Sequence, residues 1–95
     1  MIVQRLTFRV RGGQRMAAAG LAIAERERVG GTHRIYLSYL GRYDTIAMEF
    51  DFEDLAEMET FWSEWFATPE SAAFLKKWND LLEARRTNEV WTLIE

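Results

Sequence analysis

The sequence has no cysteine, one histidine and one proline among its 95 residues. Without cysteine it can form no disulfide, no thiolate nucleophile and no cysteine-ligated zinc or iron–sulfur site. A single histidine, His33, cannot form a His-based metal site. Because His33 follows two glycines, we expect it in an exposed loop. No apolar run approaches the roughly 20 residues of a membrane-spanning helix. We therefore expect no bound metal, no cofactor and no membrane partner.

The charge balance is mildly acidic, with a net charge of −3. Affinity for nucleic acid rests on basic residues that face phosphates, so we expect no nucleic-acid partner. The sequence contains neither a phosphate-binding glycine loop nor a nucleophile-elbow motif, which leaves no identifiable catalytic machinery. The segment Met1–Arg5 mixes apolar and charged residues without the apolar core of a signal peptide, so we expect a cytoplasmic location.

Apolar residues recur with two distinct periods along the chain. Alternation with a period of two indicates strands, whereas apolar residues three or four positions apart indicate helices. Glycine pairs at 12–13 and 30–31 interrupt the pattern. A new helix is predicted to begin at Thr68 and Pro69, because threonine suits an N-cap and proline suits the first helical position. The resulting segments are strands at 2–10, 33–40, 45–52 and 89–95, and helices at 14–29, 54–66 and 69–86.

The helices are expected to bury one face each. Asp54, with Glu57 three residues later, resembles a capping box that opens the second helix. Gly20 is expected to let the first helix approach the sheet closely. The stripe predicted to face the core in that helix is Met16, Ala17, Gly20, Leu21, Ile23 and Ala24; in the last helix it is Ala72, Leu75, Trp78, Leu81 and Leu82.

This order of elements predicts an α+β domain with a ferredoxin-like βαββαβ fold whose second helix is broken at Pro69. The whole chain, 1–95, is short enough for a single domain with one core, and its helices would cover one face of a four-stranded antiparallel sheet. The first and third strands are neighbours in this topology. Arg5 and Arg9 are therefore expected across from Glu49 and Asp51 on the other face.

Several short motifs are spread over nearly the whole chain: the stretch 52–59, the restart 67–70 with Phe74, the ending 89–91, and the glycine pair before Gln14. Together they resemble the dimeric α/β-barrel superfamily, in its NIPSNAP-like and antibiotic-biosynthesis-monooxygenase-like branches. The resemblance implies a homodimer in which two sheets face each other and enclose a barrel-like cavity. Haem-degrading relatives carry a histidine on the second helical segment; residues 54–86 contain none, so we expect no haem.

The polar sheet face is the candidate site. If a second copy covers it, an enclosed and partly charged cavity would be lined by Arg5, Arg9, Tyr36, Ser38 and Glu49, where a small anionic or aromatic molecule could bind. The alternative is a lattice of ion pairs with no ligand. Trp62, Trp65, Phe66 and Trp78 repeat at helical spacing, which favours the core over a pocket.

Two functions follow as hypotheses. The first is a homodimeric α/β-barrel protein that binds a small organic molecule or has a structural role. The alternative, which the resemblance permits, is a cofactor-independent monooxygenase-like enzyme acting on a small molecule. The sequence leaves open whether the protein is an enzyme, and a third use, display of its aromatic residues to another protein, also stays open.

Overall fold

The elements follow one another in the predicted order. The structure, a computed structural model, describes residues 1–94, with the side chain of Arg85 left aside. Glu95, the last residue of the predicted final strand, lies outside the described residues. The elements are β1 (Ile2–Val10), α1 (Arg15–Val29), β2 (Arg34–Leu37), β3 (Thr45–Phe52), α2 (Leu55–Phe66), α3 (Pro69–Leu81) and β4 (Leu82–Thr92).

The strands form one antiparallel sheet in the order β2-β3-β1-β4. β1 and β3 occupy the centre, and their register places Leu6 opposite Met48 and Arg5 opposite Glu49. The helices all lie on one side of this sheet, so the α+β, ferredoxin-like fold with a broken second helix is confirmed. None of the helices in the described part of the chain is long and apolar enough to cross a membrane.

The core lies between the helices and the face of the sheet formed by the even-numbered residues of β1 and β3. Trp78 of α3 is 2% exposed and meets Phe8 of β1 edge-to-face, with ring centroids 5.2 Å apart. Such a pair adds about 0.5–1.5 kcal/mol beyond the burial of its area. The other buried apolar residues are Val10, Ala18, Ala19, Ala22, Ile46, Met48, Phe50, Phe52 and Leu82.

Both predicted helix starts are confirmed at the atomic level. Asp54 caps α2 by accepting a hydrogen bond from the Glu57 N–H at 2.9 Å, while the Glu57 carboxylate accepts one from the Glu53 N–H at 2.8 Å. Thr68 caps α3 through the Ser71 N–H at 3.3 Å. The bonds to Asp54 and Thr68 satisfy amides that the first helical turn leaves unpaired, and the bond to Glu57 satisfies the amide just before the α2 cap.

The end of α3 and the start of β4 differ from the prediction. The sequence predicts a helix over 69–86 and a last strand from Glu89, whereas α3 ends at Leu81 and β4 begins at Leu82. Residues 83–86 are good helix formers, but β1 leaves one edge free for hydrogen bonding. Pairing of Phe8 with Arg86 and of Val10 with Leu82 satisfies that edge, and tertiary pairing overrides helix propensity.

The buried face of α1 was also predicted wrongly. Met16 is 68% and Ile23 40% exposed, and the buried positions are Ala18, Ala19 and Ala22. Alanine on this face lets the helix lie close to the sheet, which is the role predicted for Gly20. Gly20 is exposed instead, and a Cβ added there would meet nothing within 4 Å.

β2 is shorter than predicted. β2 ends at Leu37, so residues 38–40 belong to the connection to β3, which turns at Gly41 with a φ of 91°. Tyr39, which falls inside the predicted strand at 33–40, is 94% exposed.

In α3, Ala72 is exposed where burial was expected, and the neighbouring Ser71 is buried instead. Burial of this polar residue is tolerated because its hydroxyl accepts hydrogen bonds from the Thr68 hydroxyl and from Arg28.

Candidate functional site

A cavity of about 230 Å³ lies between the helices and the sheet. We call it the aromatic cavity because rings from the sheet, α2 and α3 line most of it. They are Phe8, Phe50, Phe61, Trp62, Trp65, Phe66, Phe74 and Trp78. The sequence favoured the core over a pocket for Trp62, Trp65, Phe66 and Trp78. Trp78 is buried and Phe66 is 64% exposed, and all four line the cavity.

Trp62 is held at the cavity wall by a buried glutamine. Its indole Nε1–H donates to Gln4 Oε1 at 2.7 Å, and Gln4 Nε2–H donates to Asn88 Oδ1 at 3.1 Å. Gln4 is 4% exposed and lies on the apolar side of β1. The relay joins α2, β1 and β4, and it fixes the orientation of the Trp62 ring because a buried donor or acceptor without a partner costs about 1–3 kcal/mol.

Trp65 is held by a carboxylate from α1. Its Nε1–H donates to Glu25 Oε2 at 2.8 Å, and Arg28 donates to both Glu25 oxygens at 2.7 Å. Burial raises the pKa of Glu25, but the hydrogen bonds from Arg28 and Trp65 outweigh burial and lower that pKa overall. Glu25 is thus ionised at neutral pH, with its charge balanced by Arg28.

His33 lies at the cavity wall rather than in an exposed loop, which corrects the prediction. Its half-buried ring stacks on Phe50, with centroids 4.2 Å apart and planes 24° from parallel. Burial and the nearby Arg26 guanidinium lower the pKa of His33 to about 4, against a smaller opposing effect of Glu25. The imidazole is therefore uncharged at neutral pH.

Arg5, Arg9, Tyr36 and Glu49 of the predicted site lie on the opposite face of the sheet, which none of the helices within residues 1–94 covers. We call this the open face. The structure brings Arg5, Tyr36 and Glu49 together there: Arg5 approaches Glu49 at 2.6 Å, and the Tyr36 hydroxyl lies 3.4 Å from the same carboxylate. Arg34 completes the group by bonding Glu49 at 3.0 Å and Asp51 at 2.8 Å. Hydrogen bonds from Arg5 and then Arg34 lower the pKa of Glu49.

Arg9 and Ser38 do not join that group. Arg9 lies opposite Thr45 and approaches Glu83 at 3.7 Å, so the expectation that it faces Asp51 was wrong. Ser38 lies beyond the end of β2, where its hydroxyl bonds the Leu40 carbonyl at 3.4 Å. The described residues contain no group of three or more His, Asp or Glu side chains placed to hold a metal ion.

Comparison with solved structures assigns the fold. The Agrobacterium tumefaciens protein Atu4242, a NIPSNAP family protein, superposes with a TM-score of 0.86 at 22% identity, over 97% of this chain and 92% of its own. A NIPSNAP domain protein from Burkholderia xenovorans gives 0.86 at 15% identity over 99% and 95% of the two chains. The fold is that of the NIPSNAP family proteins.

An antibiotic biosynthesis monooxygenase is a more distant neighbour, with a TM-score of 0.75 at 9% identity over the full length of both chains. No protein-family profile and no curated protein matches the chain significantly. The superfamily resemblance predicted from the sequence is confirmed at the level of the fold. At these identities the comparisons establish the architecture alone.

Sequence reasoning missed Gln4, Glu25 and His33 as site residues. Gln4 carried a usable signal, because it is a polar residue at an inward position of an otherwise apolar alternation. A buried amide needs partners, which directs attention to the indoles that could supply them. Glu25 and His33 carried no comparable signal, since their partners lie on other elements.

Proposed function

We propose that this chain binds a small, uncharged ring compound in the aromatic cavity. The observation that carries the proposal is the pair of indoles, Trp62 and Trp65, each locked by a hydrogen bond from its Nε1–H to a different element. Since those N–H groups are already paired, the rings offer apolar surface in fixed orientations. Preorganised aromatic walls of this kind favour binding because little side-chain freedom is lost when a ligand enters.

The size and charge of the cavity support the same ligand class. An engineered apolar cavity of about 150 Å³ accepts benzene, so about 230 Å³ suits a compound of one or two rings. Among the polar residues of the wall, Glu25 is paired with Arg28 and His33 is neutral at pH 7, while Arg86 donates to the neutral Asn79 amide. A charged group buried among the rings, away from Arg86, would lack a counterion, which is costly.

Calorimetry with a neutral two-ring probe, 2-naphthol, tests the proposal. We expect saturable binding that Ala22→Met abolishes, since Ala22 lines the cavity at 1% exposure and a longer side chain would fill it. Ala24→Met on the exposed side of the same helix is the matched control and should bind normally. Native mass spectrometry of gently purified protein would reveal a resident ligand. Equal binding by both variants, or none by the parent, would refute the proposal.

We also propose that a second copy of the chain covers the open face. The face presents neighbouring acids and bases, Glu49 and Asp51 beside Arg5 and Arg34, next to the exposed rings of Tyr36, 44% exposed, and Trp91, 52% exposed. A patch that carries both charges is self-complementary under a twofold axis, which is the commonest symmetry of protein dimers. Aromatic residues are enriched at such interfaces.

Light scattering at micromolar concentration should give twice the chain mass. If the partner sheet buries the Arg5–Glu49 pair, Arg5→Ala should reduce the stability of the dimer by about 3–5 kcal/mol, whereas loss of an exposed pair would reduce it by about 0–1 kcal/mol. Arg9→Ala is expected to weaken the dimer as well, because Arg9 lies on the same face. The double change of Arg5 and Glu49 should cost less than the two single changes together. A clean monomer over this range would exclude the dimer.

A cofactor-independent oxygenase is the second candidate function, and one observation favours it. His33 places a neutral imidazole in the cavity wall, where its unprotonated ring nitrogen could accept a hydrogen bond from a bound phenol and orient it. Oxygen-electrode measurements with bound 2-naphthol would test this. Oxygen uptake that His33→Phe abolishes would support the enzyme, whereas binding without uptake would leave the protein a binding module.

The cytoplasmic location is part of the same proposal. It rests on the lack of cysteine, which fits a reducing compartment without requiring one. Fractionation of cells that express the chain with a tag at either end would test it, and recovery with the secreted or membrane fraction would contradict it.

A further inference from the structure

The open face has two parts, and its charged side chains are closely paired in one of them. Around Glu49, both Arg5 and Arg34 lie within 3.0 Å of carboxylate oxygens. The other part lies toward the end of β1, where a concavity of about 480 Å³ opens. We call it the threonine cleft, because three threonines line it together with two arginines: Thr7, Thr45, Thr87, Arg9 and Arg42.

Short side chains and a bulge give the threonine cleft its shape. In the register of the sheet, Thr7 lies between Ala47 of β3 and Thr87 of β4, so three short side chains stand in a row across the strands. Further along, the register of β1 against β4 shifts between Phe8 and Val10. Such a bulge bends the strand and opens the ladder locally. The floor of the cleft is therefore the open face of the sheet.

The sheet separates the threonine cleft from the aromatic cavity. Phe8 and Arg86 border both concavities, but their side chains lie on the helix side, where Phe8 meets Trp78 and Arg86 donates to Asn79. Their contribution to the cleft is therefore their main chain. A molecule bound in the cleft is on the other side of the sheet from a ring compound in the cavity, and the two are independent.

The hydrogen-bond donors of the cleft are unused within residues 1–94. Arg9 approaches Glu83 at 3.7 Å and Arg42 approaches Asp44 at 3.2 Å, yet neither guanidinium takes part in a side-chain hydrogen bond of this part of the chain. The same holds for the three threonine hydroxyls. This contrasts with the group around Glu49, whose donors are all engaged.

These donors suit an oxyanion. A guanidinium presents a planar set of N–H groups that fits two oxygens of a carboxylate or phosphate, and each hydroxyl adds a single donor. The carboxylates of Glu83 and Asp44 balance the charge of the two arginines. Recognition would therefore depend on hydrogen bonds converging on one anion rather than on a large positive field.

We propose that the threonine cleft binds the phosphate or carboxylate group of a small polar molecule. Arg9 is the anchor, because it lies on a central strand and opposite Thr45, and the hydroxyls of Thr7 and Thr87 bind the remaining oxygens. A water molecule occupies about 30 Å³ of the liquid, so the cleft has room for a polar body attached to the anion. The site goes beyond the ring-binding function, and a second copy over the open face would enclose it.

Titration with inorganic phosphate and with acetate, at constant ionic strength, tests the site. We expect saturable binding of at least one of them, and the tighter one identifies the anion as phosphate or carboxylate. The amide NMR signals of Thr7, Arg9 and Thr87 should move with the dissociation constant found by calorimetry, whereas the signal of Ala22 on the cavity side should stay in place. No saturable binding, or shifts spread over basic residues elsewhere, would overturn the proposal.

Variants separate a built site from general attraction to charge. Arg9→Gln should weaken the tighter anion about tenfold, since a hydrogen bond to a charged group is worth enough for that factor. Arg9→Lys should restore part of the loss, because the charge returns without the planar donors. Thr7→Val removes a hydroxyl but no charge and should also weaken binding severalfold, so the result does not depend on any change in association that loss of Arg9 brings.

Lys77→Gln removes the same charge from an exposed position on α3 and is the matched control, with unchanged anion binding expected. If Lys77→Gln weakens the anion as much as Arg9→Gln, or if Thr7→Val binds it as tightly as the parent, the site is refuted. Binding of 2-naphthol should be the same in all these variants, so failure of the cleft and failure of the aromatic cavity are distinguishable.

Discussion

Acidification from pH 7 to pH 5 should destabilise the protein through one side chain. His33 is the only histidine of the chain, and its pKa in the folded protein is lowered to about 4 from an ordinary value of 6.5. Between these values the unfolded chain binds a proton that the folded chain does not. The free energy of unfolding therefore falls as the pH drops through this window, and the stability is fully present only above about pH 6.5.

The magnitude follows from the size of the shift. A full lowering from 6.5 to about 4 corresponds to roughly 3 kcal/mol, of which about 2 kcal/mol would be lost between pH 7 and pH 5. Because the ring is half-buried and water screens part of its surroundings, we expect a loss of about 1 kcal/mol. Carboxylates contribute little here, since their ordinary pKa values of about 3.9–4.3 leave them ionised at pH 5.

Urea unfolding at the two pH values measures this loss, and His33→Phe provides the control. Phenylalanine keeps a ring on Phe50 but cannot titrate, so the variant should be equally stable at pH 5 and pH 7. The Cε1 proton of His33 followed by NMR should titrate with a midpoint near 4. A parent protein equally stable at both pH values, a midpoint above 6, or a phenylalanine variant that keeps the full loss would refute the reasoning.

The remaining predictions concern local packing and hydrogen bonding. Gly20→Ala should stabilise by about 0.5–1 kcal/mol in thermal unfolding, because the new methyl meets open space in a helix, while Gly30→Ala should destabilise because Gly30 has a φ of 65°. Trp62→Phe should cost about 1–3 kcal/mol, since the buried Gln4 loses its donor; no loss would mean that water replaces the indole. Asp51→Asn should lower the free energy of unfolding of the monomer by less than about 1 kcal/mol, because it removes the exposed pair of Asp51 with Arg34, and the loss should shrink in 1 M salt. A larger loss, or one that salt does not change, would contradict an exposed pair.

Local rules predicted the features that depend on neighbouring residues. Asp54 and Thr68 were found as caps because the cap and its partner amide are three residues apart. The faces of β3 were found because alternation alone determines them. The start of β4 at Leu82 was missed since it depends on the free edge of β1, which lies more than 70 residues away in the sequence.

The aromatic cavity illustrates the limit of pattern reading. The rings from α2 and α3 repeat at helical spacing, which predicts that they share a face, but the spacing does not say whether they fill the interior or leave space. The volume depends on how far α2 and α3 stand from the sheet. Ala22 on the inner face of α1 contributes to that space, and the wrongly predicted buried face of this helix left it out. A cavity is a property of packing that the order of residues does not record.

β1 connects the two candidate surfaces, and its alternation keeps them apart. Gln4, Leu6 and Phe8 belong to the cavity side, whereas Arg5 and Thr7 point to the open face. A shift of register by one residue would exchange the two sets, so the strong pairing of β1 with both neighbours protects both surfaces at once. Because the sets do not overlap, changes at Arg5 should alter association without altering ring binding, and changes at Gln4 should do the reverse. The two proposed properties are thus carried by one strand but can be separated residue by residue.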